Sequence, residues 1–277
     1  MQGGDSRMLD QIRASPRRLL ILGGTAEAAA LARAAAERFG GRLAVTTALA
    51  GRTEQPSRLA GDVRIGGFGG AKGLAAYLAE AGIDLVIDAT HPFADRIARS
   101  ARLAAEEVRV PRLVLERPPW RRHALDRWIE VEDVSGAASA VARVGRRCFL
   151  TMGAGELGAF ASVRQVHFVV RLIDSPKQPL PLASHQIVLG RGPFTLAGER
   201  EMLRRHRIDI LAAKASGGPA TEAKLVAARE AGLPVVMLRR PQPEPGPRVG
   251  TVEAALAWLE ERLAVAATAP LAEVARR

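Results

Sequence analysis

The sequence holds a single cysteine, Cys148, so no internal disulfide can form. That thiol sits in an apolar, strand-like run, which suits a reducing cytoplasm, the expected location. Aromatic residues make up only 4% of the chain, so Leu, Val, Ile and Ala must build most of the core. No apolar run reaches the roughly 18 residues of a membrane span. The first 15 residues contain no long apolar stretch, which speaks against a secretory signal and for a frayed extension. Metal spacings of the H-E-x-x-H or C-x-x-C kind are missing, and His167 and His185 stand isolated, so no metal is expected. G-x-S-x-G and G-x-x-x-x-G-K-[ST] are missing too, which argues against a nucleophile elbow and an ATP-hydrolysing P-loop.

Positive charge is what the chain has in excess: 40 Lys and Arg against 29 Asp and Glu, a formal +11. Most Arg residues stand singly or in pairs among acids. No aromatic–basic interleaving suited to stacking bases occurs, so nucleic acid is not an expected partner. The excess reads either as an Arg-rich surface or as the counterpart of a ligand with several carboxylates or phosphates. With 277 residues and 48% apolar content, one large domain or two moderate ones can bury a core.

From Arg18 the pattern alternates. "LLILGG" reads as a buried strand and "AEAAALARAAAERF" as a helix. "RLAVTT" and "VRIGG" read as strands, "GLAAYLAEAG" as a helix, "DLVIDA" as a strand, "FADRIARSARLAAEEV" as a helix and "PRLVLE" as a strand. Such alternation implies βαβ units and a mainly parallel sheet. The rhythm breaks at residues 117–128, "RPPWRRHALDRW", and then resumes with strand "RCFLTMG", helix "ELGAFA" and strand "QVHFVVRL". Strand "QIVLGRG", helix "TLAGEREMLRRHR", strand "DILAAKA", helix "ATEAKLVAAREAG", strand "PVVMLRR" and helix "VEAALAWLEERL" complete it, with "PQPEPGPR" as a connector. The expected fold class is therefore α/β, with two Rossmann-like domains and an interdomain cleft for a small molecule. The expected divisions are an extension at 1–15, a nucleotide-binding domain at 16–118, a substrate domain at 119–264 and a tail at 265–277.

"ILGGTAEAAALA" runs a strand through Gly23, Gly24 and Thr25 into a helix that opens with Ala26 and Glu27. Glycines admit a phosphate, and the helix start supplies N–H groups and positive dipole. The competing reading is a plain turn with Thr25 as N-cap. At the second strand an NAD site would carry an acid for the ribose hydroxyl. Thr46, Thr47 and Arg52 stand there instead, which favours the 2′-phosphate of NADPH. "GGFGG", with Gly66 and Gly67, ends the third strand and allows either close ligand approach or a tight turn. "DATHPFA" ends the fourth strand, and Thr90, His91, Pro92 and Phe93 should face the reacting centre. The bland alternative makes Thr90 or Asp88 a helix cap, with Pro92 near the first helical position. In the second half "LTMGAGE" resembles an anion turn, "GRGPF" puts Arg191 at a strand end, and "KASGGPATEAK" puts Lys214, Ser216, Gly217 and Gly218 before a helix. These three loops should share one sheet edge and suit carboxylates.

The ordered series "ILGGTAEAAALA", "VTTALAGRT", "GGFGG", "DATHPFA", "LERPPW", "RGPF" and "SGGPATEAKL" resembles the precorrin-6A reductase family over residues 18–262. The resemblance implies a cytoplasmic enzyme of cobalamin biosynthesis with two Rossmann-like domains. It implies an NADPH-dependent reduction of one double bond in precorrin-6A, or its cobalt form, to precorrin-6B. It also implies a polycarboxylate tetrapyrrole substrate, which the cationic loops of the second half would hold. That family usually has Asn or Asp where Ala215 stands, and a longer polar side chain is common in it near Ala154. His91 is the candidate proton donor, with water or the substrate's own carboxyls as alternatives. Two other readings are another two-domain tetrapyrrole enzyme, such as an S-adenosylmethionine-dependent methyltransferase, and a non-enzymatic NADPH sensor.

Overall fold

The computed structural model describes residues 15–50 and 59–268. Two compact units emerge among the described residues, the second of them Arg117–Pro243. The first contains the chain up to Glu116 and takes it back from Glu244.

In the first unit the strands are β1 (Arg17–Leu22), β2 (Leu43–Leu49), β3 (Asp62–Ile65), β4 (Leu85–Asp88) and β5 (Arg112–Leu115). The helices are α1 (Ala26–Phe39), α2 (Gly70–Glu80) and α3 (Asp95–Glu107). Successive residues of β1 serve opposite faces, as strand geometry requires. Leu19 and Ile21 pack with Leu31, Ala32 and Ala35 of α1. Leu20 and Leu22 pack with Leu74 and Leu78 of α2 and Ala104 of α3. With both faces covered, the strand must be apolar throughout, and "LLIL" is. Each fully buried Leu or Ile there contributes about 1.5–3 kcal/mol.

The second unit holds β6 (Arg127–Val131), α4 (Val134–Val144), β7 (Arg147–Thr151), β8 (His167–Leu172) and β9 (His185–Leu189). It continues with α5 (Leu196–Arg205), β10 (Ile210–Lys214), α6 (Ala223–Glu230) and β11 (Pro234–Leu238). The chain then returns to the first unit with β12 (Arg248–Val249) and α7 (Val252–Thr268).

Among the described residues both sheets have six strands, ordered β12-β5-β4-β1-β2-β3 and β6-β11-β10-β7-β8-β9. Every pairing is parallel. The strand order reverses between β1 and β4 in the first sheet and between β7 and β10 in the second. In doubly wound sheets ligands bind outside the carboxyl ends of the strands at such a reversal.

Several expectations need correction. Residues 244–264 do not belong to the second domain: β12 pairs with β5, and Ala255, Leu256 and Leu259 of α7 join the core around β1 and α1. Residues 127–128, expected to be irregular, open the edge strand β6. "ELGAFA" forms a 3-10 turn, Ala154–Phe160, and not an α-helix. Gly155 and Gly158 inside it raise the cost of a regular helix.

Candidate functional site

At the mouth of β1, Gly23 donates its N–H to Ala48 O at 2.9 Å. A Cβ on Gly23 would lie 2.8 Å from Thr47 Cγ2, so the close approach of this turn to β2 requires glycine. Gly24 has φ +109°, a backbone region that disfavours side chains. Thr25 caps α1, accepting from Ala28 N–H at 3.1 Å, while its hydroxyl donates to Ala89 O at 2.7 Å. The cap that the sequence allowed is therefore present. The same side chain also ties the first βα turn to the end of β4 across the strand reversal.

The second strand reads differently from expectation. β2 runs on to Leu49, so Thr46 and Thr47 lie inside the strand and not at its mouth. Thr47 is completely buried, and its hydroxyl has no partner among the described residues. Its methyl packs under Gly23, which removes Thr47 from a 2′-phosphate site. Thr46 is half-buried. Arg52 lies outside the described residues. At the neighbouring strand end, Gly66 has φ +116° and donates its N–H to Leu49 O at 2.9 Å. Sequence reasoning passed over Arg64. Its guanidinium donates to the carbonyls of Gly66 and Gly67 at 2.8 and 3.1 Å and lies 4.0 Å from the Phe68 ring centroid. Its place just before "GGFGG" was the available signal.

"DATHPFA" forms a compact polar turn. Asp88 is buried, and its Oδ1 accepts from the N–H of Thr90 at 3.1 Å and from the Thr90 hydroxyl at 2.7 Å. Arg112 approaches the other carboxylate oxygen at 3.9 Å. Burial raises the pKa of Asp88, against the pull of Thr90 and Arg112. His91 Nδ1 accepts from Phe93 N–H at 3.2 Å, which puts the proton of the neutral ring on Nε2. The His91 carbonyl accepts from Ala94 N–H at 2.7 Å. The helix that follows starts only at Asp95, with Ala94 as its N-cap and no side-chain cap bond. Neither Asp88 nor Thr90 caps it, and Pro92 lies outside it. These polar residues are thus not explained by helix initiation.

In the second unit β7, β9 and β10 end on one edge, as all strands of that sheet are parallel. The turn after β7 is not an empty anion cradle. The Glu156 carboxylate fills it, accepting from Gly153 N–H at 2.9 Å and pairing with Lys214. Lys214 therefore holds an internal carboxylate. Arg191, two residues past β9, is exposed. The loop after β10 is clamped from outside the motif. Ser216 O accepts from Arg117 Nε at 2.7 Å and from Arg240 at 2.9 Å, and Gly218 O accepts from Trp120 Nε1 at 2.8 Å. A Cβ on Gly217 would lie 2.2 Å from Pro118 O, so this position needs glycine for space as well as for its φ of +69°.

Two doubly wound parallel sheets, with glycine turns and polar residues at their strand reversals, define a Rossmann-like α/β protein. The family model described as Precorrin-6x reductase CbiJ/CobK matches residues 18–260, and the chain belongs to that family. The precorrin-6A reductase of Rhodococcus erythropolis is 45% identical, over 87% of this chain and 97% of its own. That of Rhodobacter capsulatus is 43% identical, over 88% and 96%. The solved structure of CobK precorrin-6A reductase superposes with a TM-score of 0.84 at 41% identity, over 88% of this chain and 96% of that one. No helix among the described residues is long and apolar enough to cross a membrane.

Proposed function

We propose that the protein is an oxidoreductase of cobalamin biosynthesis that reduces one double bond of precorrin-6A, giving precorrin-6B, with NADPH as donor. The observation that carries this is the 45% identity to a precorrin-6A reductase over almost the whole of both chains. The cobalt-free substrate is favoured. Relatives named for precorrin-6A stand at 42–45% identity, and those named for cobalt-precorrin-6A at 26–29%.

The first unit fits a dinucleotide. Gly23 leaves no side chain at the β1 turn, Gly24 takes a positive φ, and α1 presents its positive dipole end there. Gly23, Gly24, Thr25 and Ala26 would hold the pyrophosphate, with Glu27 in the first turn and Gly66 and Gly67 alongside. Arg52 would take the 2′-phosphate, with Thr46 nearby. Bound NADPH would supply the hydride for the reduction. Thr90 and His91 stand at the mouth of β4, next to the strand reversal, where this fold holds the nicotinamide end. His91 is the proton donor in this reading, through Nε2. Pro92 and Phe93 give the substrate an apolar surface, and Arg191, Lys214 and the loop Ser216–Gly218 hold its carboxylates. The protein's main contribution is to orient two large planar groups.

The test is direct. Purified protein is incubated with precorrin-6A and NADPH, and nicotinamide absorbance and product mass are followed. Loss of reduced nicotinamide together with a product heavier by two hydrogens supports the reading. No turnover of precorrin-6A or of its cobalt form sinks it.

A further inference from the structure

The "RPPW", "RGPF" and "SGGPATEAK" stretches contain three residues that the reading above leaves unused: Trp120, Phe194 and Lys224. Lys224 faces Trp120, and Phe194 lies against Arg171 near the carboxyl end of β8. Lys224, in the first turn of α6, is 7% exposed. Its ammonium has no hydrogen-bond or ion-pair partner among the described residues, and it faces the Trp120 ring with the centroid 5.4 Å away. Trp120 is fixed by its bond to Gly218 O.

A second cation lies close by. Arg171, at the end of β8, has its guanidinium 4.6 Å from the Phe149 ring centroid and 3.9 Å from that of Phe194. It spends its fork on Glu199 of α5, at 2.6 and 3.2 Å. Among the described residues Glu199 attracts the Lys224 ammonium, while Arg171 and Arg117 repel it. Two buried cations thus share one buried acid, already held bidentately by the arginine. A largely buried ammonium whose neighbouring acid is already engaged by an arginine is costly to the fold. Burial lowers the pKa of Lys224 to about 8, so at neutral pH it still carries most of its charge.

We propose that Lys224 is a substrate-binding residue, and that the missing anion is a carboxylate arm of the tetrapyrrole, taken against the ammonium beside Trp120. The inference rests on the substrate class proposed above. It assigns a carboxylate subsite separate from Lys214, whose own carboxylate is Glu156.

Wild type and Lys224→Met are compared in three measurements: titration with precorrin-6A in the absence of NADPH, titration with NADPH, and melting with and without citrate. The variant should bind precorrin-6A at least tenfold more weakly, keep its NADPH affinity, and melt at or above the wild-type temperature. Citrate should raise the melting point of the wild type more than that of the variant. Wild-type affinity for precorrin-6A in the variant overturns the proposal. So does a lowered melting point with unchanged affinity, which would make Lys224 a structural partner of Glu199. Should Met leave the chain unfolded, Lys224→Gln provides the same readings, and unfolding of both variants assigns the lysine to the fold and overturns the proposal. Wild type that binds citrate through Lys224 but never turns over precorrin-6A would sink the function and leave the anion subsite standing.

Discussion

Asp88 and Thr90 form a closed pair at the end of β4: one carboxylate oxygen accepts both the backbone N–H and the hydroxyl of Thr90, at 3.1 and 2.7 Å. The acid sits in the core, and its burial raises its pKa even with Arg112 near. A raised carboxyl pKa means that the folded state holds the proton more tightly than the unfolded chain does. The stability from this group is full in acid and is lost as pH rises through the raised pKa. Asn in place of Asp88 has no such loss. The melting point of Asp88→Asn relative to wild type should therefore climb as pH rises above the ordinary Asp value of about 3.9. A relative fall over that range would show that the Arg112 attraction outweighs burial.

Gly23→Ala should destabilise the first unit by about 1–3 kcal/mol, the usual cost of overpacking. The added methyl would meet Thr47 Cγ2 at 2.8 Å. Thr47→Ser removes that methyl, so the double variant should recover part of the loss in a urea titration. Additive losses would show that the clash is not the cause.

His91→Asn separates orientation from chemistry. The Asn carbonyl oxygen can replace Nδ1 as the acceptor for Phe93 N–H, so the turn and the melting point should be preserved. The Nε2 proton is lost, and kcat should fall by about 10²–10⁴. Wild-type kcat in this variant would pass the proton donation to water or to the substrate.

Lys214→Ala should raise the KM for precorrin-6A and leave NADPH affinity unchanged. The side chain is paired with Glu156 at the β7–β10 reversal, so a substrate carboxylate has to compete with an internal one. Glu156→Gln should accordingly lower the KM. A KM that rises in both variants would give the pair a purely structural role.

Arg52→Ala should cost roughly 1.5–3 kcal/mol in NADPH binding, the range for a charged hydrogen bond, and little in NADH binding. Calorimetric titration of both nucleotides reads the difference. Equal weakening would leave the 2′-phosphate to another cation, with Arg64 beside Gly66 and Gly67 the next to test.

Much of the architecture was legible in local pattern. Continuous apolar tetrads such as "LLIL" mark strands covered on both faces, and the glycines after them mark turns into helices, as at Gly23 and Gly24. The cap at Thr25 was also readable, because N-caps depend on nearest neighbours. The buried face of Thr47 was not. One residue of shift along a strand reverses the side a residue faces, and β2 continued two residues beyond "VTT" before it ended.

By itself, then, the sequence determined two α/β units, their turns, and the strand ends where polar residues collect, since hydrophobic period and turn chemistry are local quantities. Tertiary structure decided which partners those residues meet. Residues 244–264 returned to the first sheet because the β5 edge and the apolar face of α1 were there to receive β12 and α7. Glu156 came to fill a turn that reads as an anion site, and from that turn after β7 it neutralises Lys214 at the end of β10. Lys224 and Arg171 came to share Glu199, from three separate elements. Charge neutralisation and burial are sums over neighbours distant in the chain, and only the fold brings those neighbours together.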